Sequence, residues 1–491
     1  MQGRTEGELA LIQRAYDFAA KAHTGQKRKS GEPYIVHPLA TATRLAELQL
    51  DPKTIAAALL HDVVEDTSYT LQDIRKEFGD EIASLVDGVT KLDKIRYKGT
   101  ERSAESLRKM FLAIAEDIRI VLLKLVDRLH NMETLEYVSP EKRRRIALET
   151  LEIYAPLAYR LGIGELKGQL EDLAFPYVYP QEYGWITKEL KDRFEERKKY
   201  VERLKPLAAE ELTRGGINFL DIHARAKHYY SLYKKILKYD TDINKVYDLV
   251  ALRIIVGTEE ECYGALGAIH QLWRPVPGLV KDYIALPKPN GYRSLHTTVF
   301  GPEQRIVECQ IRTREMHEEA ENGIAAHWAY AEKKGGTDYT KRLPSFAPPK
   351  IANWVQQLRE WQKDFKNPDE FLESLKIDFF KNRIFVLTPK GDVFDLPEGA
   401  TPVDFAYHVH TDIGNAATGA RVNGKMTALN HELRNGDVVE ILIQKNKKPS
   451  RDWLGIVKSA QARKKIASAI RKETEDNIFG RSRGEEVEIR L

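Results

Sequence analysis

The stretch His61-Asp62-Val63-Val64-Glu65-Asp66-Thr67 constrains this chain more than any other. It follows the apolar run Ile55 to Leu60, which reads as a buried helix. His61 and Glu65 are four apart, as are Asp62 and Asp66, so a continuing helix puts each pair on one face. Polar groups therefore end a helix whose earlier turns belong in a core, where charge is costly unless paired or bound to metal. An adjacent His-Asp pair offers one imidazole nitrogen and one carboxylate oxygen to a single ion. That mixture suits a redox-silent or manganese-like divalent cation. A helix end with solvated acids is the plainer alternative. His37, in Pro33-Tyr34-Ile35-Val36-His37-Pro38, and Asp127, in the apolar helix Leu122 to Asn131, weigh against it. Each stands at the edge of an apolar helix, and Asp127 and Asn131 are again four apart. His37, His61, Asp62 and Asp127 make a candidate ligand set with room for water.

At 491 residues the chain exceeds one ordinary core, and about three domains are expected. Charged residues make up 31% but are mixed in sign, with a net charge of +4. That argues against a protein that coats nucleic acid generally, while leaving local basic sites open. The segment Met1 to Glu8 is polar and carries no signal-peptide apolar region. No apolar run approaches membrane-spanning length, so no membrane partner is expected. The two cysteines, Cys262 and Cys309, form no Cys-x-x-Cys spacing. A disulfide framework and a cysteine zinc site are both disfavoured, and a reducing cytoplasm fits.

Residues 1 to about 175 read as nearly all helix, with apolar positions recurring at three and four. The loop Gly25 to Pro33 interrupts them; its Arg28, Lys29 and Ser30 form either a phosphate site or a solvated turn. A second charged loop runs from Lys91 to Arg102. Glu182 to Lys205 is rich in Lys and Glu and reads as a solvated helical connector. The pattern then turns to α/β. Val246 to Val256 is a nearly continuous β-branched run, expected as a central strand buried on both faces and begun by Asp248. Arg305 to Arg312 alternates: Ile306, Glu308, Gln310 and Arg312 share one face, Val307, Cys309 and Ile311 the other. Such a strand suggests a sheet lining a polar cleft.

Residues 331 to 350, with Gly335-Gly336, Pro344 and Pro348-Pro349, read as a linker. Helices follow around Trp354, Leu358 and Trp361 and around Phe371 and Leu375. Residues 382 to 445 are β-rich: Ile384 to Leu387 and Val393 to Leu396 flank Pro389-Lys390-Gly391-Asp392. Asn423-Gly424 and Asn435-Gly436 mark two hairpin-type turns, and Val438 to Ile443 is the last strand. The basic segment Lys445 to Arg451 and a charged helix from about Ala460 end the chain.

Between 225 and 312 the chain collects what phosphoryl transfer needs: cations for phosphates, an acid for magnesium and a base for an attacking hydroxyl. Asp248 and Glu308 are the acids. Arg225, Lys227, His228, Lys234 and Lys235 interleave with Tyr229, Tyr230 and Tyr233. Lys281-Asp282-Tyr283 and Lys288-Pro289-Asn290-Gly291-Tyr292-Arg293-Ser294-Leu295-His296 add cations and an aromatic able to stack on a base. No P-loop occurs. Each piece alone is also a solvated helix face or a plain turn; together they favour a nucleotide site.

On these residues the chain resembles the RelA/SpoT homologue family of bifunctional bacterial (p)ppGpp synthetase/hydrolases, over nearly its whole length. The resemblance implies a multidomain protein. Residues 1–175 would be an all-α HD-type hydrolase domain, 176–205 a helical connector and 206–376 an α/β nucleotidyltransferase-like synthetase domain. Residues 377–445 would be a small β-grasp TGS domain, and 446–491 a basic helical tail. His37, His61, Asp62 and Asp127 match the family's manganese ligands, and Glu65 and Asp66 its catalytic acidic pair. Arg28, Lys29, Ser30 and Asn131 match residues that hold the guanine nucleotide. In the middle part Asp248 matches a magnesium-binding acid, and Glu308 the acid that binds metal or activates the 3′-hydroxyl. Arg225, Lys227 and Lys235 match cations around the ATP phosphates. Lys281, Lys288, Asn290, Tyr292 and His296 fall in the loop for the guanosine nucleotide, with Tyr292 stacking on guanine, and Gln310 joins the nucleotide set.

Leu279-Val280-Lys281-Asp282 stands where bifunctional members usually carry Arg-x-Lys-Asp, which bears on preference between GDP and GTP. Ala224 replaces a usual glycine, and the chain ends at Leu491 without the modules that follow the TGS domain in long members. The expectation is a bifunctional enzyme that joins ATP with GDP or GTP and hydrolyses (p)ppGpp, with occupancy of one site disfavouring the other. A monofunctional enzyme with one vestigial site, or a tRNA- or ribosome-binding regulator acting through the TGS domain, are the alternatives.

Overall fold

The computed structural model describes residues 4–93, 117–237, 246, 249–288, 290–326, 383–444 and 447–482. Asp248, most of the Lys91 to Arg102 loop, the 331–350 linker and the helices expected around Trp354 and Phe371 lie outside them. The chain divides into two compact units, residues 1–364 and 365–491.

The first unit begins as a helical layer: α1 (Glu6–Ala22), α2 (Val36–Glu47), α3 (Pro52–Leu60), the short α4 (Val63–Asp66), α5 (Leu71–Phe78), α6 (Asp80–Asp93) and α7 (Ile118–Glu133). Lys91 thus belongs to α6 rather than to a loop. Sequence sets where α3 starts and stops. Asp51 caps it by accepting from the Thr54 amide at 3.0 Å, and Pro52 occupies its first turn. Ile55 to Leu60 are all buried, and the helix breaks at His61-Asp62 before α4 resumes. The polar cluster therefore sits at a helix junction, with its backbone still held by the Asp66 amide donating to the Asp62 carbonyl at 2.9 Å.

The layer continues through α8 (Pro140–Glu149), a π-turn at Thr150–Tyr154, α9 (Ala155–Arg160) and α10 (Gly164–Val178). Pro156, just after the π-turn, has no N–H to continue the α-helical ladder. The turn delivers Tyr154 to the Arg128 guanidinium, 4.2 Å from the ring centre.

The charged segment expected as a solvated connector is instead part of α11 (Pro180–Arg214), which covers a sheet. Its Tyr200, Val201, Leu204, Ala208 and Leu212 form a core with Val250, Leu252, Ile254, Val299 and Ile311. The apolar stripe recurs at three and four between the Lys and Glu positions, so the helix is amphipathic despite its charge.

That sheet has five strands in the order β1-β2-β5-β4-β3: β1 Phe219–Ala226, β2 Val250–Val256, β3 Pro275–Asp282, β4 Leu295–Phe300 and β5 Ile306–Thr313. β2 pairs in parallel with β5; the other pairings are antiparallel. β2 is buried along its whole length, as its β-branched run predicts, but it starts at Val250 rather than Val246, and β5 holds the centre. α12 (Tyr229–Leu237), α13 (Glu259–Leu272) and α14 (Arg314–Asn322) complete this part. α13 and α11 cover the apolar face. The other face carries a polar rung across the strands: Lys281 beside His296, His296 beside Gln310, Gln310 beside Arg253.

α10 packs on α7 and α8 and also on α12 and α14. A Cβ on Gly168 would stand 2.2 Å from the His228 ring, and one on Gly323 would stand 2.3 Å from the Leu161 carbonyl oxygen. Glycine at these two points lets the helical layer close on the sheet.

In the second unit β6 (Arg383–Leu387) and β7 (Val393–Pro397) form a hairpin, and β8 (Ala417–Val422), β9 (Lys425–Thr427) and β10 (Val439–Ile443) a three-stranded sheet ordered β10-β8-β9. A parallel bridge between Leu387 and Val438 joins the two, and α15 (Pro402–Val409) packs on them, a β-grasp arrangement. Asn423 and Gly424 take φ of 52° and 78°, the hairpin turn expected. Asn435-Gly436 makes no hairpin. Asn435 Oδ1 accepts from the Phe385 amide at 2.8 Å and the Gly436 amide donates to the Phe385 carbonyl at 2.7 Å, so the pair clips the loop onto β6. The final helix (Ala460–Ser482) is no free tail: its Ala462 and Ile466 pack with Trp453 on Val403 and Tyr407. The fully buried Asp404 caps this junction, accepting from the Ser459 amide at 2.7 Å.

Candidate active sites

Four polar side chains meet where the α3–α4 junction faces α2 and α7. His37, His61 and Asp127 are buried, and one donor atom from each lies within 4.8 Å of the others. His37 Nε2 is 3.0 Å from Asp127 Oδ1 and 3.5 Å from Asp62 Oδ2. His61 Nε2 is 3.2 Å from Asp62 Oδ1 and 3.8 Å from Asp127 Oδ1. His61 Nδ1 donates to the Ala58 carbonyl at 2.7 Å, which turns Nε2 into the cluster. Burial opposes charge on His61, yet Asp62 and Asp127 outweigh it and hold its pKa at about 10. Asp127 is held well below the usual carboxylate range: burial opposes ionisation, but Lys124 and the two histidines override it. The site demands positive charge, and two imidazoles with two carboxylates fit a divalent cation.

Around this centre, Lys124 Nζ donates to Asp127 Oδ2 and Asn131 Nδ2 to Asp127 Oδ1, each at 2.7 Å. The Tyr34 hydroxyl lies 3.0 Å from Asp62 Oδ2 and 2.5 Å from Asp66 Oδ2. Burial and these acids raise its pKa, so it stays a donor. Asp66 and Glu65 are exposed on α4. A pocket of about 470 Å³ opens beside the cluster, and Arg28, Lys29, Ser30 and Asn131 all line it, with Lys27, Arg128 and Arg145. Arg28 Nη2 donates to Asn131 Oδ1 at 3.0 Å, so the basic loop is anchored to the helix that bears Asp127.

The polar face of the sheet borders a second pocket of about 750 Å³. Arg225, Lys227, Lys235, Lys281, Lys288, Asn290, Tyr292, His296, Glu308 and Gln310 all line it. Of the residues expected at this site, only Asp248 lies outside the described residues. Glu308 Oε1 lies 2.8 Å from His296 Nδ1 and accepts from Gln310 Nε2 at 3.0 Å. The Tyr292 hydroxyl lies 2.7 Å from His296 Nε2. Burial opposes charge on Glu308, but His296, Gln310 and Lys227 keep its carboxyl ionised. Lys288 Nζ sits 4.5 Å from the Tyr283 ring centre and 4.8 Å from that of Tyr292.

Burial, then the nearby Lys281, pushes Lys288 down to about 8. Below that pH it is an ammonium ion; above it the charge is lost. On the expectation that this pocket takes a guanosine nucleotide, GDP affinity should fall as pH rises through 8, measured by calorimetry between about pH 7 and 9. Lys288→Arg, whose guanidinium keeps its proton to higher pH than an ammonium, should flatten that slope. An unchanged slope would remove Lys288 from phosphate binding.

Three family patterns match the chain: HD domain over residues 15–164, the region found in RelA/SpoT proteins over 224–335 and TGS domain over 384–443. The chain is 50% identical over 476 residues to a GTP pyrophosphokinase of Myxococcus xanthus, covering 96% of this chain and 62% of that protein. It is 46% identical over 473 residues to the bifunctional (p)ppGpp synthase/hydrolase SpoT of Escherichia coli strain K12, covering 96% of this chain and 66% of that one. The chain belongs to the RelA/SpoT family. A third relative, the guanosine-3′,5′-bis(diphosphate) 3′-pyrophosphohydrolase of Aquifex aeolicus, is 49% identical over 469 residues, 95% of this chain and 66% of that protein. The chain spans about three-fifths of the length of the curated RelA/SpoT relatives it matches.

The HD and RelA/SpoT domains are of divalent-metal-dependent families, and the described residues hold one candidate donor cluster. Among them no helix is long and apolar enough to cross a membrane. Both cysteines are buried and free.

Arg253 was not singled out in the sequence, whereas Arg312 falls on the expected cleft face; the two are 4% and 1% exposed and share the Glu321 carboxylate at 3.0 and 2.9 Å. Burial, then Arg312 and Arg225, pushes Arg253 down to about 9. An arginine inside a β-branched run was the available signal, because burying that charge needs a partner or an anion. Tyr34, Lys124 and His130 beside the first site carried no comparable signal.

Proposed function

We propose that this chain makes and hydrolyses (p)ppGpp at two separate sites. The supporting observation is how charge is sorted. At one site two carboxylates and two imidazole nitrogens converge beneath a basic pocket. At the other, arginines and lysines surround the ionised carboxylate of Glu308. The names of the relatives agree with both activities. We assign hydrolysis to residues 1–175, synthesis to 206–376, and a TGS unit to 377–445.

In the hydrolase site His37, His61, Asp62 and Asp127 would hold manganese, which would supply positive charge to the 3′-diphosphate and lower the pKa of a water molecule. Arg28, Lys29, Ser30 and Asn131 hold the guanine nucleotide. Glu65 and Asp66 orient the attacking water and take its proton, and Tyr34 steadies Asp66. The bond between the 3′-oxygen and its phosphorus breaks, releasing pyrophosphate and GDP or GTP.

In the synthetase site the 3′-hydroxyl of GDP or GTP attacks the β-phosphorus of ATP. Glu308 accepts the hydroxyl proton, and AMP leaves. Asp248 and Glu308 would hold magnesium, which would supply positive charge to the transferred group. Arg225, Lys227, Lys235 and Lys281 hold the triphosphate. Lys288, Asn290, Tyr292, His296 and Gln310 hold the guanosine nucleotide, with Tyr292 against the base. The test is Asp248→Gly: AMP and (p)ppGpp formation should drop by about 10³-fold, and retained synthesis would sink this half of the proposal.

The two reactions oppose each other, and α10 lies between their machinery. We assign to α10 and the helices next to it the coupling that keeps both from running at once. Scattering profiles identical with ppGpp and with GDP plus an ATP analogue would argue against it. tRNA or ribosome contact belongs to the TGS unit and the basic segment Lys445 to Arg451, and should weaken steeply with salt.

A further inference from the structure

We propose that His130 is a positioning residue of the hydrolase site, holding His37 in the tautomer that a metal ligand needs. This rests on the reading of that site as a divalent-metal centre.

α7 places Asp127, His130 and Asn131 along one flank. Asp127 reaches the donor cluster, Asn131 reaches Arg28, and His130 reaches His37 between them. His130 is 9% exposed, and its Nδ1 lies 2.8 Å from Nδ1 of His37. Two ring nitrogens at that separation share one proton, so one donates and the other accepts. Geometry around His130 decides which. Nη1 of Arg28 lies 3.5 Å from the same His130 Nδ1. A guanidinium only donates, so the lone pair belongs to His130.

The shared proton therefore resides on His37 Nδ1. On the neutral ring that a metal ligand must be, His37 Nε2 then carries the lone pair, aimed at Asp127 Oδ1 from 3.0 Å and at Asp62 Oδ2 from 3.5 Å. A lone pair facing carboxylate oxygens calls for a cation between them. His61 keeps its Nδ1 proton by a different route, through the Ala58 carbonyl, which can only accept, so a bound cation would meet the same nitrogen, Nε2. The two histidine ligands thus have unlike supports. The support of His61 is backbone and survives any substitution of a side chain. The support of His37 is a side chain 93 residues away in sequence, and it can be removed.

The experiment is manganese binding to metal-stripped full chain, followed by calorimetry, for wild type, His130→Asn, His130→Gln and His130→Leu. Asparagine puts an acceptor oxygen where Nδ1 stands; glutamine puts its amide near the Nε2 position; leucine has no acceptor. His130→Asn should keep manganese affinity within about threefold of wild type, while His130→Gln and His130→Leu should weaken it about 10- to 100-fold. Thermal unfolding of the metal-free variants shows whether each is folded. If the leucine variant does not fold, the contrast between asparagine and glutamine decides alone. Equal affinity in all four proteins, or an asparagine variant as weak as the glutamine one, would overturn the role of His130. A folded wild type that binds no manganese would overturn the metal-centre reading itself, and the proposal with it.

Discussion

His61→Ala combined with Asp62→Ala should lower (p)ppGpp hydrolysis by about 10³-fold or more while leaving synthesis within about twofold. The pair supplies two of the four groups that converge at the α3–α4 junction, and what remains is His37 and Asp127 at 3.0 Å. Removing them takes away both the positions for a cation and the path by which Asp62 touches Tyr34. The synthetase pocket draws no lining residue from that junction, so its chemistry should survive. Release of GDP and pyrophosphate from ppGpp is the readout, and hydrolysis within tenfold of wild type would be incompatible with the assignment. A second signature belongs to the metal-free protein. The folded-state pKa of His61, about 10, lies above its ordinary value of 6.5. The stability it contributes is therefore fully present below about pH 6.5 and is lost as pH rises through 10. The double variant should lack this part of the pH dependence of unfolding.

Glu308→Gln should lower the kcat of synthesis by about 10²- to 10⁴-fold, with little change in KM for ATP or GDP. The amide has the same shape and its oxygen can still accept from His296 Nδ1, so the polar chain from Tyr292 through His296 is kept. What it loses is the negative charge that His296, Gln310 and Lys227 keep on Glu308, and with it the oxygen able to take a proton. A loss confined to kcat separates a proton acceptor from a residue that merely binds. A rise in KM with kcat preserved would instead make Glu308 a binding residue. Hydrolysis should be unaffected.

Much of this was legible because two periodicities are strong. The period-two alternation of Val307, Cys309 and Ile311 against Glu308, Gln310 and Arg312 marks a polar sheet face by itself. The four-residue spacing of Asp127 and Asn131 did the same for α7. Other features were hidden for physical reasons. Val201 and Leu204 were present in the sequence but fell in a segment read as solvated, because lysines and glutamates outnumber them; with Ala208 and Leu212 they form the buried stripe. Asn435-Gly436 has turn chemistry, yet its partner is Phe385, about fifty residues earlier, so local pattern could not reveal that it clips rather than turns a hairpin. Arg253 reads as a lapse in an apolar run until Glu321 and the neighbouring arginines are seen around it. His130 lies inside the stretch that marks α7, but its role depends on which nitrogen faces His37, and sequence carries no such information.

The most direct test of two opposed activities in one chain is a paired assay on a single metal-stripped preparation. One sample holds ATP, GDP and magnesium; the other holds ppGpp and manganese. The account predicts AMP with ppGpp in the first and GDP with pyrophosphate in the second. Absence of turnover in either sample, from protein shown to be folded and to bind its nucleotides, would contradict it.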